Sequence, residues 1–242
     1  MAETILVTGA SAGFGQAICR RLVADGHRVI GAARRIEKLQ ALHEELGEAF
    51  YPLQMDVTDL TQVDQALSSL PADWEQIDVL VNNAGLALGL APAQKAETAD
   101  WLTMIQTNII GLTYLTRQIL PQMVERNDGY VINMGSTAGT VPYPGANVYG
   151  ASKAFVKQFS LNLRADLAGK QIRVTNIEPG LCEGTEFSSV RFKGDEKRVE
   201  ALYRDAHAIQ PEDIANTVSW LIQQPKHVNV NRIEIMPVSQ TF

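Results

Sequence analysis

The sequence predicts an α/β domain built on a doubly wound parallel sheet. Short apolar, β-branched runs alternate with helix-length amphipathic stretches along the whole chain, and the first run ends in a glycine-rich turn that opens a helix. With 242 residues, 45% of them hydrophobic and 20% charged, the chain can bury a large core as one unit spanning residues 1–242. It contains no repeat, low-complexity tract or linker.

Residues 4–8 read as the first strand and 15–24 as the first helix, with Ile18, Leu22 and Val23 turned inward. Residues 28–32 form the second strand, and 36–46 carry Ile36, Leu39, Leu42 and Leu46 at helical spacing. The third strand, 50–55, ends at Asp56, and a helix over 59–70 is capped by Thr58 or Asp59. Residues 77–81 form a buried strand running into Asn82-Asn83-Ala84-Gly85. Long helical stretches follow at 101–115 and 117–126, with a kink expected near Gly111. Residues 130–134 are the fifth strand, 149–167 a long helix, 173–177 the sixth strand, 211–223 a late helix and 233–236 the last strand. Such alternation predicts parallel strands joined by right-handed crossovers, with helices on both faces. Only residues 181–209 break the rhythm, and the insertion at about 181–210 is expected to be a substrate lid, the alternative being a surface loop.

The net charge of −6, with no Lys/Arg cluster, argues against nucleic acid and anionic membrane as partners. No apolar run is long enough to cross a bilayer, and the start Met1-Ala2-Glu3-Thr4 lacks the pattern of a signal peptide. Cys19 and Cys182 are far apart and the four histidines are scattered, so no metal site is predicted. A cytoplasmic, reduced protein is the expected setting.

The turn Thr8-Gly9-Ala10-Ser11-Ala12-Gly13-Phe14-Gly15 joins the first strand to the first helix. Glycine allows close backbone approach to phosphate, and the helix N-terminus favours an anion, so Gly9, Ser11, Gly13, Phe14 and Gly15 are candidates for binding a dinucleotide. The spacing, G-x-x-x-G-x-G, differs from the commoner G-x-G-x-x-G. At the end of the second strand, where NAD enzymes carry an acid, stand Arg34 and Arg35. Guanidinium groups match a 2′-phosphate bidentately, so the expected cofactor is NADP, unless both arginines are ordinary exposed residues. Asp56 and Val57 are placed to reach adenine, Asp56 being equally suited to cap the following helix; Asn82 lies in the same row of strand ends.

Tyr149 and Lys153 are four positions apart on one helix face. A cation ~4 Å from a phenol, at an effective dielectric of ~20, contributes on the order of 4 kcal/mol, enough to lower the phenol pKa by about 3 units. Tyr149 is thus a candidate general acid/base. Ser136, at the end of the fifth strand, is placed to polarise a substrate carbonyl, and Asn108 sits mid-helix against its propensity.

Taken together, the three glycines, the Asn82 to Gly85 run, Asn108, Ser136, Tyr149, Lys153 and Pro179-Gly180 resemble the short-chain dehydrogenase/reductase family over essentially the whole chain. The resemblance implies a single Rossmann-like domain of about seven parallel strands, NAD(P)-dependent carbonyl–alcohol interconversion, and a homo-oligomer. It implies that Lys153 binds the nicotinamide ribose, that Asn108 holds a relay water, and that Ala84, Gly85, Pro179, Gly180 and Thr185 contact the coenzyme. Thr185 stands one residue farther from Pro179-Gly180 than in the common family pattern. Within the family, residues 82–91, 135–149 and 177–193 are similar to bacterial NADP-dependent 3-hydroxy acid dehydrogenases, also described as serine 3-dehydrogenases or malonic semialdehyde reductases. A small anionic hydroxy acid or aldehyde is therefore the expected substrate. Arg191 either clamps its carboxylate or pairs with Glu183 or Glu186, and Tyr143 and Phe187 are expected pocket walls. A sulfonate would suit Arg191 equally, making sulfoacetaldehyde reduction to isethionate the alternative. An NADP-sensing protein without turnover is a third reading, opposed by the joint presence of Asn108, Ser136, Tyr149 and Lys153. The helix over 149–167 is apolar on two sides, which suggests a partner subunit, with burial under the lid as the competing explanation; the resemblance implies a homotetramer.

Overall fold

In a computed structural model describing residues 2–204 and 206–241, the apolar runs form one parallel sheet. Its strands are β1 (Thr4–Thr8), β2 (Arg28–Ala33), β3 (Phe50–Gln54), β4 (Val79–Asn82), β5 (Gly129–Met134), β6 (Ile172–Pro179) and β7 (Arg232–Ile235). Their order is β3-β2-β1-β4-β5-β6-β7. The crossovers are α1 (Gly13–Ala24), α2 (Ile36–Leu46), α3 (Leu60–Ser68), α4 (Thr98–Ile105) with α5 (Leu112–Arg126), and α6 (Asn147–Asp166). Two short helices, α7 (Phe187–Arg191) and α8 (Glu196–Tyr203), follow β6, and α9 (Pro211–Gln223) leads to β7.

The pleat divides each strand between two cores. Ile5 and Val7 of β1 join Ile18 and Leu22 of α1, Leu39 and Leu42 of α2, and Ile214 and Val218 of α9. Leu6 points the other way, to Val63 of α3, Leu115 and Ile119 of α5, and Leu163 of α6. Each fully buried Leu, Ile or Val contributes about 1.5–3 kcal/mol, so sealing both faces is what makes continuous apolar strands stable.

Three details differ from expectation. Helix α1 begins at Gly13, two residues early. The predicted kink is a π-helical turn, Gln106–Gly111, between α4 and α5. Gly111 is obligatory there because a Cβ would lie 2.6 Å from the Val57 carbonyl oxygen. The insertion after β6 is partly helical, and its base is closed by Ile209, which donates to the Leu181 carbonyl (3.1 Å) and accepts from Glu183 N–H (3.1 Å).

A buried polar chain ties the centre of the sheet to the helices behind the site. Asn82 Nδ2 donates to Thr116 Oγ1 of α5 (2.9 Å) and to Asn133 Oδ1 of β5 (2.8 Å), while Asn133 Nδ2 donates to Ser160 Oγ of α6 (2.8 Å). Asn82 is therefore a structural strut: its side chain turns into the protein instead of toward the crevice. Truncating it leaves buried acceptors unpaired, so Asn82→Ala should destabilise the fold by about 1–3 kcal/mol, read as a lower urea midpoint at unchanged m-value. An unaltered midpoint would contradict the strut.

Candidate active site

The chain leaves β1 toward β2 and β3, then returns to lay β4 on the other side of β1, so the carboxyl ends of β1 and β4 part into a crevice. Thr8 stitches that crevice: its Oγ1 accepts from Asn83 N–H (3.0 Å) and Ala84 N–H (2.9 Å), and its carbonyl accepts from Asn83 Nδ2 (2.8 Å). Gly9, at φ +69°, has no room for a Cβ, which would lie 2.9 Å from Asn83 Nδ2. The resulting cleft has a volume of about 560 Å³.

Gly9, Ser11, Gly13 and Phe14 line the cleft. Gly15 lies behind them, where a Cβ would lie 2.2 Å from the Gly9 carbonyl oxygen. Helix α1 has neither a side-chain cap nor an acid in its first turn, and Gly13 and Phe14, whose N–H groups open it, border the cleft. This donor set fits a pyrophosphate. Arg34, Arg35, Asp56 and Val57 line the far end. Arg35 donates to Ser11 Oγ from Nε (3.2 Å) and Nη2 (3.0 Å). Asp56 folds its own turn by accepting from Thr58 N–H (2.9 Å) and Oγ1 (2.7 Å), while Asp59 caps α3.

At the other end Ser136, Tyr149 and Lys153 come together. Ser136 follows β5 and accepts from Ala138 N–H (3.1 Å) to open a 3₁₀ turn, Thr137–Gly139. That turn lies so close to α6 that a Cβ on Gly139 would be 2.7 Å from the Lys153 carbonyl carbon. Tyr149, in the first turn of α6, lines the cleft beside Ser136, whose hydroxyl pulls the phenol's pKa down. Lys153 Nζ donates to the Met134 carbonyl at the end of β5 (2.8 Å) and lies 5.9 Å from the Tyr149 ring centroid.

The electrostatics depart from the expectation for this pair. Burial pushes Tyr149 up to about 12, outweighing the Ser136 hydrogen bond and the Arg191 guanidinium that pull it down. Burial pushes Lys153 down to about 8. The four-residue spacing predicts a phenol acidified by its neighbour; in the chain itself desolvation prevails, because both groups are almost completely buried and the ammonium is directed at a carbonyl.

Asn108, buried in the π turn, is a brace. Its Oδ1 accepts from Leu86 N–H (3.0 Å) and its Nδ2 donates to the Leu86 carbonyl (2.9 Å) and to Ser152 Oγ (3.0 Å). A Cβ on Gly85 would lie 3.3 Å from both Asn108 Oδ1 and Lys153 Nζ, so the loop after β4 is pressed between them. Ala84 and Gly85 line the cleft, as do Pro179 and Gly180. Thr185 also reaches it despite its extra spacer residue, because it packs over Gly13, 3.1 Å from where a Cβ would stand.

Arg191 lines the cleft beside Tyr143 and Tyr149. Glu183 instead accepts from Gln210 Nε2 (2.6 Å), and Glu186 pairs with Arg35 and Lys38 (both 2.9 Å). Arg191 donates from Nε to the Gly89 carbonyl (3.3 Å), and its guanidinium lies 5.3 Å from the Tyr143 ring and 5.5 Å from the Tyr149 ring. Its Nη2 is buried and has no hydrogen-bond partner among the described residues. Phe187 packs on Tyr149 with ring centroids 5.7 Å apart. Two site features escape the sequence reading: Asn83, one residue beyond the chosen Asn82, lines the cleft, and Lys38, three residues after Arg35, joins its cationic cluster. The i,i+3 spacing on α2 was the available signal for Lys38.

Lys153 provides a check. Its folded pKa lies below the unfolded one, so between about pH 8 and 10.5 the unfolded chain binds more protons and stability from this group rises with pH. At pH 7 the charged, buried lysine costs on the order of 3 kcal/mol. Lys153→Met should therefore unfold at higher urea than wild type at pH 7, with the gap closing by pH 10; a gap independent of pH would refute the buried-ammonium account.

Comparison with known proteins agrees with this architecture. The short chain dehydrogenase family profile matches residues 3–196. A probable NADP-dependent dehydrogenase of Haemophilus influenzae is 59% identical over 239 residues, covering 99% of this chain and 95% of that protein. The NADP-dependent 3-hydroxy acid dehydrogenase of Escherichia coli K12 is 58% identical over 238 residues, covering 98% and 96%. The closed form of a serine dehydrogenase complexed with NADP+ superposes with a TM-score of 0.98 at 57% identity, covering 99% of this chain and 96% of that one. Seven parallel strands, the glycine turn and the matched profile make the chain a member of the short-chain dehydrogenase family.

Proposed function

We propose that the protein is an NADP(H)-dependent oxidoreductase interconverting a small 3-hydroxy acid, such as serine or 3-hydroxypropionate, with its semialdehyde. The names borne by its relatives agree with this reading. The observation that carries it is the buried, unpartnered Nη2 of Arg191 beside Tyr149 and Tyr143. A guanidinium N–H desolvated without an acceptor is costly, and a carboxylate offers the bidentate acceptor it lacks. A 3-hydroxy acid sets that carboxylate with one carbon between it and the reacting centre.

In this reading Gly9, Ser11, Gly13, Phe14 and the start of α1 hold the pyrophosphate, Arg34 and Arg35 take the 2′-phosphate, and Asp56 and Val57 flank the adenine. Ala84, Gly85, Pro179, Gly180 and Thr185 border the nicotinamide half, and Lys153 donates to its ribose hydroxyls. When bound, the coenzyme supplies or accepts the hydride. Ser136 orients the substrate oxygen and Tyr149 hands it a proton. A phenol titrating at about 12 is fully protonated at neutral pH, so aldehyde reduction has its acid in place, while oxidation needs the phenolate and gains with rising pH. Asn108 keeps the Gly85–Leu86 loop seated beside Lys153.

Absorbance of NADPH, followed with serine, 3-hydroxypropionate, 3-hydroxyisobutyrate, isethionate and their aldehydes, tests the assignment. The 3-hydroxy acids should give higher kcat/KM than isethionate. Arg191→Ala should raise the KM for the acid about tenfold or more, with the KM for NADP+ near wild type, and Tyr149→Phe should lower kcat by at least about 100-fold. An Arg191→Ala enzyme with unchanged KM for every acid defeats the clamp.

We also propose a homotetramer. Leu102, Ile110, Phe155 and Leu161 leave apolar side chains exposed on α4, the π turn and α6, elements that pack together. Light scattering should give a mass near four times the 26.5 kDa chain, and a monomeric mass would exclude it.

A further inference from the structure

The lid touches both ends of the cleft. Three consecutive lid residues meet three different parts of it: Thr185 packs over Gly13 of the glycine turn, Glu186 pairs with the cations after β2, and Phe187 stacks near Tyr149. Glu186 Oε1 accepts from Lys38 Nζ (2.9 Å) and Arg35 Nη1 (3.2 Å), and its other oxygen lies 2.9 Å from Arg35 Nη2. Those two cations hold its carboxyl below the usual carboxylate range.

One carboxylate facing two cations leaves positive charge over, which a phosphate dianion matches better. The carboxylate is also easily moved. The side chains of Glu186, Arg35 and Lys38 are between 40% and 49% exposed, so the pairs are weak and screened by salt. A phosphate beside Arg35 would meet the Glu186 carboxylate as a like charge, which disfavours keeping both.

We propose that Glu186 is a built-in anion of the 2′-phosphate site. Its carboxylate fastens the lid to Arg35 and Lys38, and the 2′-phosphate of NADP(H) displaces it from them. Glu186 and Lys38 then set the coenzyme preference in opposite directions. NADP(H) must break the Glu186 pairs, whereas NAD(H) need not. Lys38 attracts the 2′-phosphate alone. The inference rests on the NADP reading above and adds the lid as the element that senses the extra phosphate.

Dissociation constants for NADP+, NAD+, adenosine 2′-monophosphate and adenosine 5′-monophosphate, measured by calorimetry, test it. Glu186→Gln should tighten NADP+ and the 2′-monophosphate about two- to fivefold and leave NAD+ and the 5′-monophosphate unchanged. Lys38→Gln should loosen the same two ligands by a similar factor. Trypsin should cut the lid of coenzyme-free Glu186→Gln enzyme faster than that of wild type, and saturating NADP+ should remove the difference. Unchanged or weaker NADP+ binding in Glu186→Gln, or equal tightening of NAD+, overturns the proposal even where wild type prefers NADP+. A wild type that binds NAD+ as tightly as NADP+ would overturn the NADP reading itself.

Discussion

The site depends on a lysine ammonium buried with a single hydrogen bond among the described residues, from Lys153 Nζ to the Met134 carbonyl. An ammonium has three protons to donate, and desolvation with one acceptor is unfavourable, as its depressed pKa shows. Much of the surrounding structure holds that arrangement in place. The Asn82–Asn133–Ser160 chain pins α6 to the sheet, Gly139 lets the Ser136 turn approach it, and Asn108 clamps the loop bearing Gly85 against the amine.

Burial has the same effect on the neighbouring phenol. By raising Tyr149 and lowering Lys153, it favours the uncharged form of each group. The chain's own contribution is a protonated tyrosine beside Ser136, under an aromatic and guanidinium roof formed by Phe187 and Arg191. Arg191 and Lys153 lie 5.5 Å and 5.9 Å from the Tyr149 ring centroid, and the Arg191 guanidinium draws the phenol's pKa down against the effect of burial.

The lid links these features. It is anchored at its base by Ile209 and tied to the body through Arg191 with Gly89, Lys193 with Asp100, and Glu186 with Arg35 and Lys38. The ties of Lys193 and Glu186 are surface ion pairs, individually weak.

The sequence by itself determined the alternation of strands and helices, the glycine turn, the Ser136, Tyr149 and Lys153 set, and the arginines after β2. These are local patterns of periodicity, turn chemistry and spacing, readable because each is carried by residues near one another in the chain. Tertiary structure decided what depends on distant partners. Asn82 faces inward and Asn83 outward because β1 lies against β4. Asn108 braces Leu86 because a π turn rotates it there. Among the described residues Arg191 has no ion-pair partner: Glu183 accepts from Gln210, and Glu186 is held by Arg35 and Lys38. The direction of the Tyr149 shift also had to come from the fold, since spacing along a helix gives the distance to a neighbouring charge but not the burial that outweighs it.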